Sequence, residues 1–159
     1  MIILGLDPGL GTTGWGIIVK EGNRLSHIDN GEITTDAKLP LANRLVAIDE
    51  KLRAILDHFK PDCAAVEEVF VNKNPQSTLK LGQARGVVLL AAEIRGVPIA
   101  ELPPAEVKRA VTGNGRATKL QIQRAVTSQC GLAAAPEPPD VADAIAIALC
   151  GGRRLRGIA

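Results

Sequence analysis

Four carboxylates near the ends of apolar segments are the residues of this sequence best placed to do chemistry. Asp7 ends the first apolar run of the chain, and Glu67 ends a second one. Asp140 and Asp143 stand three residues apart in a segment rich in alanine and isoleucine, so on a helix they would share one face, with Cβ atoms about 5–6 Å apart. A carboxylate is seldom buried unless it is paired or binds a metal. Together the four predict a site for hard divalent cations held by oxygen ligands.

Each acid also has a purely structural interpretation. Asp140 could be the N-cap of its helix, with Asp143 favouring the positive end of the helix dipole. Asp7, which precedes Pro-Gly, could be a turn residue, and Glu67 could equally be structural. Strand side chains alternate, so only one of Glu67 and Glu68 can face a shared cluster. The joint occurrence of four such acids favours the metal site.

A basic segment of the chain could contact the phosphates of a phosphodiester substrate. Residues 71–134 carry nine Lys and Arg against three Asp and Glu, whereas residues 1–70 carry seven against eleven. Five of these basic residues lie close together with no acid between them: Lys108, Arg109, Arg116, Lys119 and Arg124. Such a balance suits phosphate contacts, although a solvated basic face would have the same composition. Two Mg²⁺ ions about 3.5–4 Å apart in the acidic site would activate a water against a phosphodiester and stabilise its leaving oxygen.

Length and composition limit the alternatives. The 159 residues fit one domain, which we place at residues 1–152, followed by a short basic tail at 153–159. With 46% apolar and 23% charged residues the chain falls in the globular range. One Trp, two Phe and no Tyr leave little from which to build a carbohydrate platform or a stacking groove.

The termini and cysteines predict a cytoplasmic protein. No basic leader precedes an apolar stretch, and no segment approaches the roughly 18 apolar residues that span a bilayer, so we expect no membrane association. The three cysteines have no CxxC spacing, which argues against a disulfide framework and a zinc site. We expect Cys63, Cys130 and Cys150 to be small buried residues of a reduced protein.

The elements that must position these side chains follow an α/β pattern. Strands are predicted at residues 1–7, 15–19, 25–35, 63–66 and 99–102, with Asn30-Gly31 as a turn or bulge in the third. Apolar residues with a 3.6-residue period predict a helix from Leu41 to Phe59, with Asp49 and Arg53 paired on another face. Further helices are predicted after an N-cap at Asn74 as far as residue 94, at residues 105–111, after a Thr118 capping box, and at residues 140–150. We expect the loop at 112–117 to be mobile.

Two glycines inside the second predicted helix need a reason. Gly82 and Gly86 lie on one helical face, and each costs about 1 kcal/mol relative to alanine. This pattern indicates a place where another helix or a ligand backbone comes close.

Several motifs recur in one order along nearly the whole chain. They are Ile3–Gly9, Val66–Phe70, Asn72–Asn74, Leu79–Gly86, Val107-Lys108 and Asp140–Ala144. Asp-Pro-Gly alone is common, but this set, in this order and at this spacing, resembles the RuvC family of Holliday-junction resolvases. The resemblance implies a ribonuclease H-like fold of the retroviral integrase superfamily, with a five-stranded mixed sheet flanked by helices.

The resemblance also implies an activity. Members of the family act in DNA recombination and repair as homodimers that cut four-way junctions by paired symmetric nicks, leaving a 5′-phosphate and a 3′-hydroxyl. Their nuclease site uses divalent cations, here expected to be two Mg²⁺ ions with Mn²⁺ as a substitute. The branch-migration proteins RuvA and RuvB are the implied partners. A homodimer has two sites related by a two-fold axis, so each subunit can cut one strand.

The matching positions carry implied roles. The metal ligands would be Asp7, Glu67, Asp140 and Asp143. Lys108 and Lys119 would lie near the scissile phosphate as further catalytic residues, with Lys119 in the mobile loop region. Phe70 would stack on a base at the junction centre. The implied DNA-binding set is Phe70, Lys73, Lys80, Lys108, Arg116 and Lys119. The Gly82 and Gly86 helix matches the one near the family's dimer interface, whereas Glu68 departs from the pattern because a neutral amide is expected there.

Four other interpretations are open at this stage. A YqgF-type nuclease of the same fold shares the Asp-Pro-Gly opening but is not expected to carry the Gln83–Gly86 segment. A sugar kinase or actin-like ATPase needs two domains and more than twice this length. A non-catalytic junction-binding module would use the basic segment and leave the acids unexplained. A Cys or His nucleophile is disfavoured because His27 and His58 have no evident partner.

Overall fold

A single mixed sheet organises the computed structural model of this chain, which describes residues 1–69 and 73–154. In these residues the strands are β1 (Ile2–Asp7), β2 (Thr12–Glu21), β3 (Arg24–Thr34), β4 (Cys63–Glu67) and β5 (Ile99–Leu102). The helices are α1 (Leu41–Phe59), α2 (Pro75–Ile94), α3 (Pro104–Thr112), α4 (Lys119–Gln129) and α5 (Pro139–Arg154). None of the helices so described is long and apolar enough to cross a lipid bilayer.

The sheet has the strand order β3-β2-β1-β4-β5. The first three strands form an antiparallel meander, and β4 and β5 add in parallel on the far side of β1. The predicted five-stranded mixed sheet is therefore confirmed. Because β1 and β4 are parallel neighbours inside the sheet, both faces of each are covered, and their sequences are apolar up to the terminal Asp7 and Glu67.

Helices cover both faces of the sheet. Neighbouring side chains of β1 alternate, so Ile3 lies in a core with α3, α4 and α5 on one face, and Leu4 lies in a core with α1 and α2 on the other. Both residues are fully buried. The molecule is thus a three-layer arrangement, in which α5 and α2 approach the tips of β1 and β4 from opposite sides.

Local signals in the sequence fix most helix ends. Helix α1 spans the predicted residues and buries Ile48, Leu52 and Leu56 on one face, while Arg53 pairs with Asp49 at 2.8 Å. The Asn74 side chain accepts hydrogen bonds from the N–H groups of the first turn of α2, and the Thr118 capping box forms in full at the start of α4. These expectations are confirmed.

The predicted third strand forms, and it resolves the alternative left open at Asn30-Gly31. No turn forms there, since β3 continues through both residues, paired with Gly16 and Trp15 of β2. The irregularity lies at Ile28, which has no partner between Asp29 and His27. Gly31 is required by packing, because a Cβ there would lie 2.7 Å from the Trp15 ring. The glycine marks a close contact inside a strand rather than a turn.

The last helix is longer than its pattern predicted. Helix α5 begins at Pro139 and runs through two glycines to Arg154, beyond the expected end near residue 150. Arg153 donates hydrogen bonds to the Ala110 carbonyl and, at 3.0 Å, to the Gln129 side chain. These contacts tie the end of α5 to α3 and α4. Residues 155–159 lie outside the described residues.

Candidate active site

Three of the four predicted acids meet at one edge of the sheet. Asp7 is the last residue of β1, and Asp140 and Asp143 lie in the first turns of α5. Each offers a carboxylate oxygen, and these atoms all lie within 4.8 Å of one another. All three residues are half-buried. Asp140 stands inside the first turn of α5 rather than before it, so the helix start does not use it as the N-cap.

Glycines in β1 and β2 allow α5 to reach Asp7. A Cβ at Gly5 would lie 2.0 Å from the Ala144 carbonyl oxygen, and a Cβ at Gly14 would lie 2.1 Å from the Asp140 carbonyl oxygen. Gly14 is the cross-strand partner of Asp7, so the helix backbone rests directly beside that carboxylate. Any side chain at these positions would push α5 away. Glycines inside strands signal such close backbone approaches, and this signal was available in the sequence but was missed.

The turn after Asp7 is held by a buried hydroxyl. Thr13 is fully buried, and its Oγ1 donates to the Gly9 carbonyl at 2.9 Å and accepts the Gly9 N–H at 3.2 Å. This pair of bonds closes the segment between β1 and β2. It therefore limits the movement of the strand end that carries Asp7.

The acids perturb one another strongly. Burial first, and then the charges of Asp143, Asp140 and Glu67 in that order, together raise the pKa of Asp7 from its ordinary value of 3.8 to about 8. Burial likewise raises the pKa of Asp143 and Glu67. A group of like charges of this kind either binds protons or is neutralised by cations. Oxygen ligands in this number are suited to Mg²⁺ or Mn²⁺.

Glu67 borders this trio without belonging to it. It ends β4, the parallel neighbour of β1, and its carboxylate is not among the oxygens that lie within 4.8 Å of one another. It lines an open cavity of about 400 Å³ together with Lys108, Lys119 and Asp143. The charge of Asp143 raises the pKa of Glu67, whereas Lys108 and Lys119 lower it. The fourth acid thus lines the same cavity as Asp143.

The two predicted lysines line that cavity as well. The Lys119 Nζ lies 3.9 Å from the Asp143 carboxylate, and its side chain is 78% exposed. Lys119 is the first residue of α4 rather than a loop residue, because the Thr118 capping box starts the helix just before it. Lys108 is half-buried on α3. Both lysines line the cavity, so their ammonium groups can meet an anion that enters it.

The remaining predicted DNA contacts are dispersed. Arg116 is exposed in the turn before α4, Lys73 is exposed before α2, and Lys80 is exposed on α2. None of these three lines the acidic cavity. Phe70 lies outside the described residues.

One contact to the site was not foreseen from the sequence. The guanidinium of Arg85, on α2, donates a hydrogen bond to the Glu67 carbonyl oxygen at 2.5 Å and forms an ion pair with Glu101 of β5. Its side chain is only 11% exposed. An arginine within a helical pattern gives no sign of its partners, so no local signal could have revealed this contact.

The outer face of α2 is apolar and open. Leu79, Leu90 and Ile94 are 63%, 59% and 69% exposed. A Cβ at Gly82 or Gly86, on the same face, would meet no atom within 4 Å. Within the described residues, nothing packs against these glycines, so the close neighbour that their spacing predicts does not come from this chain's own fold.

The surroundings of the cysteines and histidines are those of structural residues rather than of catalytic ones. Cys63 and Cys150 are buried as predicted, Cys130 is half-buried, and all three are free thiols. The His27 ring contacts the Asn30 side chain at 2.9 Å, and the His58 ring packs edge-on against Phe59. These surroundings do not provide an activated nucleophile.

Comparison with known proteins identifies the family. The family model for the crossover junction endodeoxyribonuclease RuvC matches residues 3–151. The RuvC protein of Sphingopyxis alaskensis is 52% identical over 94% of this chain and 96% of its own length, and that of Zymomonas mobilis is 52% identical over 94% and 89%.

A solved structure agrees with these sequence matches. The Thermus thermophilus RuvC bound to a Holliday-junction substrate superposes with a TM-score of 0.87 at 35% identity, covering 94% of this chain and 92% of the other. The ribonuclease H-like fold expected from the resemblance is confirmed. Sequence and fold together show that this chain belongs to the RuvC family of crossover junction endodeoxyribonucleases, which are Holliday-junction resolvases.

Proposed function

We propose that this chain resolves four-way DNA junctions by divalent-metal-dependent, paired symmetric nicks. The observation that carries the metal dependence is the meeting of Asp7, Asp140 and Asp143 within 4.8 Å of one another on buried elements. Three carboxylates at this spacing repel one another, and burial prevents water from screening that repulsion. Divalent cations would neutralise the three carboxylates and remove this repulsion.

The donor set fits such ions. Asp7, Asp140 and Asp143 would hold Mg²⁺, and Glu67, which lines the adjoining cavity, would complete the site, with two ions expected. All the donors are oxygens, the ligands that Mg²⁺ and Mn²⁺ prefer. When bound, the metal supplies an activated water and stabilises the leaving oxygen of the phosphodiester. We propose hydrolysis that leaves a 5′-phosphate and a 3′-hydroxyl.

The lysines orient the substrate for that reaction. Lys108 and Lys119 line the cavity beside Glu67 and Asp143, and their ammonium groups would bind the non-bridging oxygens of the scissile phosphate. Lys119 is mostly exposed and so can reach DNA without leaving its helix. We assign both lysines to catalysis and DNA binding.

The wider DNA surface combines exposed cations with one aromatic residue. Lys73, Lys80 and Arg116 are exposed, and we propose that they contact phosphates away from the scissile bond. We also propose that Phe70, outside the described residues, stacks on a base at the junction centre. The basic residues between Lys108 and Arg124 would extend this surface.

Paired nicks require two sites, and α2 is the proposed contact between subunits. Its outer face carries Leu79, Leu90 and Ile94 beside two glycines with open space above them. Two such faces could approach closely around a two-fold axis, which would place one active site toward each of two symmetric strands. We propose a homodimer of nuclease domains, each spanning residues 1–152. By family resemblance it would work with RuvA and RuvB in the cytoplasm.

The deciding experiment is a nicking assay on a synthetic mobile four-way junction beside a linear duplex of matched sequence. Reactions contain Mg²⁺, Mn²⁺ or chelator, and compare the wild type with Asp7→Asn and, as a matched control, Asp49→Asn. Asp49 lies on α1, paired with Arg53 and outside the acidic cluster. We expect symmetric cuts in the junction with either metal, none with chelator, and none with Asp7→Asn although it still binds the junction. Normal cutting by Asp7→Asn would refute the assignment, whereas binding without cuts in either metal would indicate a junction-binding module.

A further inference from the structure

Arg85 is a mostly buried cation whose guanidinium bonds to the main chain of Glu67, and the mechanism proposed above does not use it. It lies on α2, on the opposite face of the sheet from α5, with 11% of its side chain exposed. A charged group at such a position is costly unless its hydrogen-bonding capacity is satisfied. Its partners therefore indicate what it does.

The two partners stand on adjacent strands. One nitrogen of the guanidinium, Nη1, donates to the main-chain carbonyl of Glu67 at 2.5 Å, and the other, Nη2, pairs with the Glu101 carboxylate. Glu101 belongs to β5, where it lies in register with Val66 of β4. The planar guanidinium fixes the direction of both bonds, which a lysine cannot do.

The Glu67 main chain has a neighbouring strand on one side only, because the pairing of β4 with β1 stops before it while the pairing with β5 continues. The parallel register of β1 and β4 runs only as far as Leu6 and Val66, one residue before Glu67. On the other side, the Glu68 N–H donates to the Leu102 carbonyl at 2.8 Å, so β5 still holds the next residue. The Glu67 carbonyl bonds instead to a side chain from α2.

We infer that Arg85 is a positioning residue that holds the backbone of Glu67, and with it the Glu67 carboxylate, against the acidic cluster. Glu101 anchors the guanidinium from the solvent side, where half of its own side chain is exposed. The inference rests on the proposed function, because it assumes that Glu67 serves the metal site. Because α2 also bears the proposed dimer face, one side chain links that face to the active site.

The test compares Arg85→Gln, Arg85→Lys and Glu101→Gln with the wild type. Arg95→Gln is the matched control, because Arg95, at the C-cap of α2, pairs with Asp57 far from the acids. Three quantities are measured: the single-turnover nicking rate at saturating Mg²⁺, the junction Kd in chelator, and the affinity of the DNA-free protein for Mn²⁺ by electron paramagnetic resonance. Groups that orient metal ligands typically contribute about 10–100-fold.

We expect Arg85→Gln to lower both the nicking rate and the Mn²⁺ affinity by about 10–100-fold, with an unchanged junction Kd. Arg85→Lys and Glu101→Gln should lie between it and the wild type, and Arg95→Gln should match the wild type. If Arg85→Gln does not fold, Glu101→Gln decides, since its partly exposed side chain can lose its charge without leaving a cavity.

Two outcomes would overturn the inference. In one, the folded variants nick and bind Mn²⁺ as the wild type does. In the other, they lose only thermal stability, which would make Arg85 a structural residue. These results differ from a failure of the proposed function, in which the wild type itself would not nick in Mg²⁺ or Mn²⁺.

Discussion

Replacing Asp7 with asparagine should stabilise the metal-free protein while it removes the activity. The change keeps the shape of the side chain and removes the charge that repels Asp143, Asp140 and Glu67. The pKa of Asp7 is raised from 3.8 to about 8. At 1.36 kcal/mol per pH unit, the charged carboxylate destabilises the fold by at most about 6 kcal/mol at pH 8 and above.

The sign of the pH dependence follows from the direction of the pKa change. The folded protein binds the Asp7 proton more tightly than the unfolded chain does, so the stability associated with the neutral carboxyl is fully present below pH 3.8. It is lost as the pH rises to about 8. Protons can also move to Glu67 and Asp143, whose pKa values are raised as well, which reduces the loss. We therefore expect Asp7→Asn to gain at least about 2 kcal/mol at pH 8, or about 4–8 °C in Tm.

The assay monitors thermal unfolding by circular dichroism in the presence of chelator, at pH values from 5 to 9. Near pH 5 the stability that Asp7→Asn gains over the wild type should fall to about a third or less of its value at pH 8. The reason is that the wild-type Asp7 carboxyl is then mostly protonated in the folded state. Saturating Mg²⁺ should raise the Tm of the wild type more than that of Asp7→Asn. Asp57→Asn is the control, because Arg95 lowers the pKa of Asp57 and its removal should not stabilise the fold. The reasoning is refuted if Asp7→Asn shows no increase in Tm over the wild type, or an increase that does not change with pH.

Three further predictions test other parts of the molecule. Lys119→Ala should slow single-turnover nicking by about 10-fold or more and leave Tm unchanged, because its side chain is mostly exposed; an unchanged rate would remove it from the site. Leu90→Glu, on the outer face of α2, should shift the protein from dimer to monomer in analytical ultracentrifugation, and a persistent dimer would place the subunit contact elsewhere. Gly14→Ala should destabilise the fold by about 1–3 kcal/mol in chemical denaturation, because its Cβ would meet the α5 backbone. Gly11→Ala is the control and should be near neutral, because a Cβ there would have no atom within 4 Å.

Local features of this fold could be predicted because short-range physics decides them. The period of apolar residues defines α1 from Leu41 to Phe59, and the side chains of Asn74 and Thr118 cap the helices that follow them. These signals act within one or two turns, so neighbouring residues suffice to read them. The order and spacing of several motifs along the chain carried the resemblance to the RuvC family.

Signals with two local meanings were decided by packing. Asn30-Gly31 is compatible with a turn, yet the Trp15 ring lies against Gly31 and the strand continues. Here a residue from another part of the fold selected one of two conformations that the local sequence permits. The position of Lys119 at the start of α4 follows instead from the local Thr118 capping box, and it corrects the loop position that the family resemblance implied.

The sequence by itself determined which side chains could bind metal, which segments form helices and strands, and which family the chain resembles. Only the tertiary structure decided which carboxylates lie within reach of one another and that Arg85 bonds to the Glu67 carbonyl. Asp7 and Asp140 are 133 positions apart in the sequence, and their distance in space depends on how closely α5 packs against β1 and β2. That packing is a property of glycines on two strands and of a whole helix, so no local pattern contains it.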